Sequence, residues 1–422
     1  SVSKTINGNY WWHLAAFFNV AIRQQVKKFE EENGREPDEK EHAGIKARTL
    51  STVRGTVQAD QLKESMGQNT LVFNLDTALR MMGDVAEFYV DNEVRNHYFV
   101  SISGYHIAEA GANPISQAAL TLSNGLTYVE LFNSRGLDAN KFLRNFSWFF
   151  SNGMDPEYAV IGRVCRRIWA IAMRDMYGVD ERGQKLKYHI QSSGRSLHAQ
   201  EYTWNDYRTT LQALYALADN ANSLHTNSRD EAFGTPTEDT VRDAVAIQLI
   251  LSKEYGWLQN ENPLQGSHVT DWLTDSVEEE ILKIFEEMHR RGGVLGALEV
   301  NYQRNRIQDE SMIYEHRKHS GELPIIGVNT FEEGVDNSLS AEEFDIEVTR
   351  SDKEERMMVI DRNKAFKDTH AKEAEEGLAR LKKVAREGGN LFEVMMDIVE
   401  HCTVGQVTQA LFETGGKFRR NM

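Results

Sequence analysis

Short segments rich in β-forming residues recur along the first half of the chain, and long segments with helical periodicity separate them. Their spacing is about 34 to 53 residues, longer than the roughly 31 residues per unit of an eight-unit barrel of about 250 residues. Alternating strands and helices predict a parallel sheet, closed or open. The six segments are Ser1–Thr5, Val53–Gln58, Tyr98–Tyr105, Phe146–Phe149, Lys187–Gln191 and Ala221–His225.

The helical segments have start and stop signals of their own. Asn113-Pro114 predicts a helix with proline in its first turn. Ser276 with Glu279 predicts a capping box, and Gly292-Gly293 a helix end. The charged stretch 27–48 is interpreted as the end of a helix followed by a solvated insertion.

Every second position of the predicted strands is small or polar. Barrel interiors are usually filled by Val, Ile and Leu, and buried unpaired hydroxyls are costly. One polar face therefore predicts a hollow barrel threaded by a polar chain; the alternative is the solvent-exposed side of an open sheet. These alternating positions include Ser1, Ser3 and Thr5, Thr56 and Gln58, Ser101, Ser103 and Tyr105, Ser147 and Phe149, and His189 and Gln191.

Composition narrows the functional classes. The 422 residues exceed a usual single domain, and 40% hydrophobic with 27% charged residues is typical of globular proteins. The 48 basic and 64 acidic residues give a net charge of −16, which argues against nucleic-acid binding but allows a local basic pocket. Cys165 and Cys402 form no disulfide framework, so we expect a cytoplasmic protein, and no segment is long enough to span a membrane.

His106 lies just past a predicted strand, where barrels place catalytic residues. A single histidine there is more often structural. Gln58 and Gln191 occupy equivalent strand ends, so three neutral hydrogen-bonding groups could converge on one ligand. No nucleophile elbow, phosphate-binding loop, dinucleotide motif or metal-type spacing is present, so difficult chemistry would require a cofactor.

Several long motifs, in order, resemble the adenosylcobalamin-dependent acyl-CoA mutases of the methylmalonyl-CoA mutase family. The resemblance covers nearly the whole chain and implies a TIM (β/α)8-type barrel, incomplete here with six of eight strands, and radical isomerisation of an acyl-CoA. The motifs are Gly55–Glu64, Ile102–His106 with Glu109–Ala112, Gln191–Gly194 with Ser196-Leu197, and Ser223–Ser228 with Asp230-Glu231 and Pro236-Thr237.

The resemblance also implies roles for individual residues. His106 resembles the histidine that hydrogen-bonds the substrate thioester carbonyl, with Gln58 and Tyr105 beside it. Substrate contacts are implied for Ser3, Thr5, Thr56, Gln68, Asn145, Ser147, Phe149, His189, Gln191, Asn222 and Ser223. Adenosylcobalamin contacts are implied for Gly67, Gly194, Glu231 and Gly234, and no residue of the chain is assigned to a metal.

Two departures concern the acyl group. Gln68 and Asn145 stand where methylmalonyl-CoA mutases have arginines, and one of those arginines pairs with the substrate carboxylate. The loss of that cation argues against a dicarboxylic acyl group and resembles the isobutyryl-CoA mutases, which interconvert isobutyryl-CoA and n-butyryl-CoA. Isovaleryl-, pivalyl-, 2-hydroxyisobutyryl- or methylmalonyl-CoA remain alternatives, as does a noncatalytic barrel fragment.

The C-terminal segment 415–422 resembles that of fused mutases, which have a cobalamin-binding domain and a GTPase chaperone domain upstream. The string Asp38–Gly44 has the wrong spacing for the loop that supplies the lower cobalt ligand. We therefore expect two further strands and these domains before Ser1 or on a separate subunit, and no activity from this chain alone.

We divide the chain into six βα units over residues 1–320 and a helical extension over 321–422. Ile325–Asn329 is predicted to be extended. Three capped helices follow, one ending at Gly388-Gly389, one beginning at Asn390 and one at Thr403. The extension is predicted to support the barrel and to form a homodimer contact.

Overall fold

The computed structural model describes residues 2–5, 9–68, 70–260, 262–332 and 351–419, with backbone alone for 2–5. The protein is a mainly helical α/β structure. Its strands are β1 (Val2–Thr5), β2 (Gly55–Gln58), β3 (His97–Tyr98), β4 (Val100–Ser103), β5 (Phe146–Asn152), β6 (Tyr188–Ser192) and β7 (Ser223–His225).

The helices of the first half alternate with these strands. They are α1 (Tyr10–Asn33), α2 (Glu39–Thr52), α3 (Gln61–Lys63), α4 (Leu75–Asp91), α5 (Tyr105–Glu109), α6 (Pro114–Ser134), α7 (Ala139–Phe142), α8 (Ile161–Tyr177) and α9 (Asn205–Ala218). The rest are α10 (Glu238–Leu249), α11 (His268–His289), α12 (Gly293–Glu299), α13 (Tyr302–Ser320), α14 (Lys353–Thr369), α15 (Ala371–Glu387), α16 (Leu391–Ile398) and α17 (Val404–Gly415).

All strand pairs are parallel, as the alternating pattern predicts, and they form two sheets in chain order, β1-β2-β3 and β4-β5-β6-β7. The third predicted strand is divided at Phe99. Residues 97–98 pair with β2, whereas β4 pairs with β5. The sheets lie side by side through β2 and β4. Hydrogen bonding among the described strands does not close them into a barrel, so the parallel α/β class is confirmed and a complete barrel is not.

Alternate strand residues face two different environments. Ile102, Phe150 and Ile190 are fully buried among the surrounding helices and form part of one continuous apolar core with Val57 and Trp148. The intervening residues of the same strands form the polar face. This period-2 division leaves the helices packed on one side of each sheet and a polar surface on the other.

Some helix boundaries agree with the sequence signals and others do not. Asn113 caps α6, with Pro114 in its first turn. Ser276 is not a helix start: Ser267 accepts a hydrogen bond from Thr270 N and begins α11 nine residues earlier (276 − 267), leaving Ser276 inside the helix. The segment 325–329 is a turn closed by a bridge between Ile326 and Thr330, not a strand.

The charged stretch 27–48 holds two helices. Helix α1 continues to Asn33 and ends at Gly34, whose φ of 65° favours glycine. Asp38 and Glu41 then form a capping box that begins α2. The predicted solvated insertion is therefore limited to the short connection between these helices.

The C-terminal helices pack on the first helices of the chain. The three predicted helices are present as α15, α16 and α17, with caps at Gly388, Asn390 and Thr403. Helix α16 lies against α1 and α4, where Phe392 contacts Phe88 at 4.9 Å between ring centroids. The final segment returns to the same region through the bridge 73–417, and residues 420–422 lie outside the described part.

Within the described residues, no helix combines the length and apolar character that crossing a bilayer requires.

Candidate active site

The polar face of the strands lines a channel of about 680 Å³. Its walls come from both sheets, and residues 56, 58, 147, 189 and 191 are only partly exposed within it. The predicted polar inner face is therefore a channel wall in the structure. The channel is lined by Arg54, Gly55, Thr56, Gln58, Asn96, Tyr98, Ser101, Ser147, Trp148, Phe149, Lys187, Tyr188, His189, Gln191, Asn222, Ser223 and His225.

The two ends of this channel differ chemically. Arg54 and Lys187 directly precede β2 and β6, so they lie at the amino ends of the parallel strands. Gln58 and Gln191 lie at the carboxyl ends of the same strands. Among the described lining residues none has a carboxylate, although the whole chain has a net charge of −16. The channel is thus cationic at one end and neutral at the other, which suits a long ligand with one anionic end.

His189 is neutral within the channel. Its Nδ1 lies 2.8 Å from Ser223 Oγ, and its ring lies 5.2 Å from that of Phe149. Burial, reinforced by neighbouring His225, lowers the pKa of His189 to about 4. At neutral pH its imidazole therefore contributes a hydrogen bond and no charge.

Three buried polar atoms near this face have no hydrogen-bond partner among the described residues. They are Thr56 Oγ1, Gln58 Oε1 and Gln68 Oε1. An unsatisfied buried polar atom costs about 1–3 kcal/mol, and native proteins contain few of them. Two of the three belong to channel-lining residues, where a ligand with donor groups could reach them.

Aromatic rings lie near the carboxyl end of the channel. The ring of Tyr105, in the first turn of α5, stacks on Phe149 at 4.9 Å and an interplanar angle of 2°. Gln191 Nε2 donates to Tyr105 Oη at 3.1 Å and to Asn227 Oδ1 at 2.9 Å. Burial, followed by the charges of Glu109 and Glu231, raises the pKa of Tyr105 far above its ordinary value, so its hydroxyl stays protonated.

His106 lies next to this stack and is 9% exposed. Its ring is perpendicular to Phe149, at 5.7 Å and 86°. Its Nδ1 lies 2.9 Å from Nζ of Lys63, which is itself almost fully buried. Burial, together with the Lys63 charge, lowers the pKa of His106 to about 3. The imidazole is neutral at physiological pH, and Nε2 is its remaining polar atom.

Asp60 connects the elements that position these groups. Its Oδ1 accepts hydrogen bonds from Lys63 N at 3.1 Å and Tyr128 Oη at 2.5 Å, and its Oδ2 accepts one from Ser103 N at 2.9 Å. The carboxyl group is fully buried, and burial raises its pKa. It therefore joins the end of β2, the end of β4 and helix α6 at a single point.

Glu109, about one turn after Tyr105 in α5, also joins separate elements of the site by hydrogen bonds. Its carboxylate accepts hydrogen bonds from Ser193 Oγ at 3.0 Å and from Arg195 N at 2.7 Å. A Cβ added to Gly194 would lie 3.1 Å from Glu109 Oε2 and 3.5 Å from Tyr105 Oη. The loop after β6 thus approaches α5 closely at a glycine.

The model of the methylmalonyl-CoA mutase family matches residues 40–417. The chain belongs to this family. Its curated relatives include proteins named fused isobutyryl-CoA mutase from Nocardia farcinica and Geobacillus kaustophilus, each 59% identical over the whole of this chain. The chain spans 39% of the length of either relative. It is also 32% identical, over 99% of its length, to the large subunit of 2-hydroxyisobutanoyl-CoA mutase from Aquincola tertiaricarbonis and covers 70% of that protein.

Not every residue implied by the family resemblance lies at the channel. Asn145 is buried, and its Nδ2 donates to the carbonyl oxygens of Val94 and His97 at 2.9 and 2.7 Å, so it fixes the connection before β3. Ser3 and Thr5 pair in register with Thr56 and Gln58, but their side chains lie outside the described residues.

The positions implied for the cofactor are more scattered. Gly67 lies against α5, where an added Cβ would be 3.6 Å from His106 O. Gln68 ends the π-helical turn 64–68, a rare conformation that is frequent at functional sites. Glu231 is exposed and acts electrostatically on Tyr105, whereas Gly234 has no described atom within 4 Å of an added Cβ.

Several site residues do not stand out in the sequence alone. Lys63, Asp60 and Glu109 lie inside family motifs, but they resemble ordinary surface residues until their burial is known. Arg54 and Lys187 have a recognisable sequence signal, since each is a cation directly before a strand.

Proposed function

We propose that this chain is the acyl-CoA-binding part of an adenosylcobalamin-dependent isomerase that interconverts isobutyryl-CoA and n-butyryl-CoA. The channel is the observation that supports this most directly. Coenzyme A is a long ligand with phosphates at one end and a thioester at the other, which matches the cations Arg54 and Lys187 at one end and neutral groups at the other. The names of the fused relatives point to the same substrate.

The residues of this chain bind, orient and shield the acyl-CoA. Thr56 and Gln58 have buried oxygens available for polar hydrogens of the pantetheine amides or of ordered water. His106 donates from Nε2 to the thioester carbonyl, while the Tyr105–Phe149 stack excludes water from the acyl group. Adenosylcobalamin, when bound, supplies the radical chemistry of the rearrangement.

The chain's own residues fit a flat cofactor at the carboxyl end of the strands. Gly67 and Gly194 both pack closely against α5, and Gln68 Oε1 is buried with no hydrogen-bond partner among the described residues. We propose that these residues, with Glu231 and Gly234, contact adenosylcobalamin. A histidine that would ligate the cobalt is proposed to lie outside this chain.

The acyl group is proposed to be neutral because Gln68 offers no cation. A buried carboxylate without a partner is strongly disfavoured, so methylmalonyl-CoA would bind poorly. The 32% identical 2-hydroxyisobutanoyl-CoA mutase subunit makes 2-hydroxyisobutyryl-CoA the second candidate substrate.

The partners are proposed by analogy with the fused relatives. The chain would act in the cytoplasm within a longer polypeptide, or with separate subunits, that supplies a cobalamin-binding domain and a GTPase chaperone domain. We also propose a homodimer. Sedimentation velocity of the full-length protein tests it, and a monomeric mass at micromolar concentration would contradict it.

The activity is tested on the complete polypeptide loaded with adenosylcobalamin. Isobutyryl-CoA should be converted to n-butyryl-CoA with a higher kcat/KM than isovaleryl-, pivalyl-, 2-hydroxyisobutyryl- or methylmalonyl-CoA. Gln68→Arg should lower kcat/KM for isobutyryl-CoA by about tenfold or more, because it introduces a buried cation without an anion. Gln24→Arg, on the surface of α1, is the matched control. Preference for another acyl-CoA would refute the proposed substrate. No isomerisation of any of these acyl-CoA compounds would refute the proposed activity.

A further inference from the structure

Lys63 is an unusual residue to find beside the proposed thioester site. Its side chain is 1% exposed, and lysines are almost never fully buried unless they are paired. Its Nζ lies 2.9 Å from His106 Nδ1 and 3.3 Å from Glu64 Oε1. The backbone of the same residue is held by Asp60. The lysine is therefore fixed between a carboxylate and the imidazole.

We propose that the Lys63 ammonium donates a hydrogen bond to Nδ1 of His106 and thereby holds the neutral imidazole in the tautomer whose proton is on Nε2. Lys63 is thus a positioning residue for His106. The inference rests on the proposed function only in what Nε2 donates to, the thioester carbonyl; the tautomer itself is a property of this chain.

The charges around Lys63 favour the ammonium over a neutral amine. An uncompensated buried carboxylate is costly, and Lys63 is the cation that contacts Glu64 among the described residues. Burial lowers the pKa of Lys63, while Glu64 and Asp60 oppose that shift. An ammonium has three protons and no lone pair, so it can only donate to Nδ1.

A proton on Nε2 follows from this donation. A neutral imidazole has one donor and one acceptor nitrogen, and the acceptor is Nδ1 when Lys63 donates to it. A 180° flip of the ring would put Cδ2 where Nδ1 lies and would break the contact with Lys63, so this contact defines the ring orientation. Without Lys63, either tautomer could form, and only one of them presents a donor at Nε2.

A double-mutant cycle in the complete cobalamin-loaded enzyme tests the role of Lys63. Lys63→Met keeps the length of the side chain but has no donor. It should lower kcat about 10- to 100-fold with KM for isobutyryl-CoA within about twofold, because hydrogen bonds to charged groups have effects of that order. His106→Gln places an amide NH2 near the Nε2 position without needing a particular tautomer. In that background Lys63→Met should change kcat less than about threefold. Equal losses in both backgrounds would show that Lys63 is structural.

The second measurement does not depend on turnover. Solid-state 15N NMR of histidine-labelled full-length protein, compared with His106→Gln, isolates the signals of His106. We expect a protonated Nε2 and an unprotonated Nδ1. A protonated Nδ1 would overturn the proposal even if the enzyme is active. If the protein has the expected tautomer but no mutase activity, the proposed function is refuted and the role of Lys63 is not.

Discussion

Gln191 donates from Nε2 to the hydroxyl oxygen of Tyr105 at 3.1 Å, and this hydrogen bond joins the end of β6 to the first turn of α5. The two residues are 86 positions apart in the chain. Their contact places the Tyr105 hydroxyl at the carboxyl end of the channel while its ring stays stacked on Phe149.

Tyr105→Phe should remove the hydroxyl and keep the stack. Gln191 retains Asn227 as a partner, so we expect kcat to fall about three- to tenfold with little change in KM, the range for one neutral hydrogen bond. Steady-state kinetics of the complete enzyme measures this. The control is Tyr177→Phe, which removes a hydroxyl that donates to Glu130 at the surface and should leave kcat and KM unchanged. A loss in Tyr105→Phe that is entirely in KM would contradict the assignment to the reacting end.

Thr56→Val should weaken acyl-CoA binding without destabilising the free protein. The substitution has nearly the same shape and removes a buried oxygen that has no hydrogen-bond partner among the described residues, so the free protein should be equally stable or up to about 1 kcal/mol more stable. Binding of acyl-CoA should weaken about three- to tenfold if that oxygen accepts a ligand hydrogen bond. Urea unfolding and isothermal titration calorimetry measure the two effects, and a destabilised variant with unchanged affinity would exclude the oxygen from binding.

Lys187→Ala should weaken acyl-CoA binding without slowing turnover. Lys187 is exposed at the cationic mouth of the channel, remote from His106, so its loss should raise KM and leave kcat unchanged. The increase in KM should shrink at high ionic strength, because salt screens exposed charges. Lys185→Ala, two residues earlier and outside the channel, is the control. A fall in kcat with unchanged KM would contradict a role for Lys187 in binding the phosphates of coenzyme A.

Asp84→Asn should lower the free energy of unfolding by weakening the attachment of the C-terminal helices. The buried carboxylate of Asp84 accepts from Arg135 at 2.5 Å and from Leu391 N at 2.9 Å, so it ties α4 to α6 and to the start of α16. Removing one partner of a buried ion pair costs about 3–5 kcal/mol. Urea unfolding of the full-length protein measures the loss. Asp397→Asn breaks an exposed pair with Arg380 and should cost less than about 1 kcal/mol.

Acid should destabilise the protein through His106. The unfolded chain binds a proton there below about pH 6.5, whereas the folded pKa is about 3. Between these values the unfolded state binds more protons, so stability falls with decreasing pH by about 1.4 kcal/mol per unit for each such histidine. Between about pH 6.5 and pH 5, His106→Gln should lose about 1.6 kcal/mol less than the wild type in urea titrations. Parallel pH dependences would contradict the depressed pKa.

The sequence was informative where the physics is local. Helix caps such as Asn113, Asn390 and Thr403 act within a few residues, and the period-2 strands reveal their polar face directly. The start of α11 was predicted wrongly, because Ser267 caps the helix and Ser276 lies inside it although Glu279 completes a capping-box pattern there.

The site was only partly predictable for the opposite reason. His106 and Gln58 lie at recognisable strand ends, but the importance of Lys63 depends on its burial against residues 43 positions away. For Asn145, the sequence resemblance implies substrate binding, and the structure adds that its Nδ2 donates to two backbone carbonyls. Long-range burial and hydrogen bonding are not encoded in any short window of sequence.

Asp60 limits how this site can change over evolutionary time. Because one carboxylate fixes the ends of two strands and a helix, any substitution that shifts Gln58 also shifts His106 and the turn that holds Lys63. The residues of the proposed site are therefore expected to shift together. We expect any new acyl specificity to arise at positions that Asp60 does not hold.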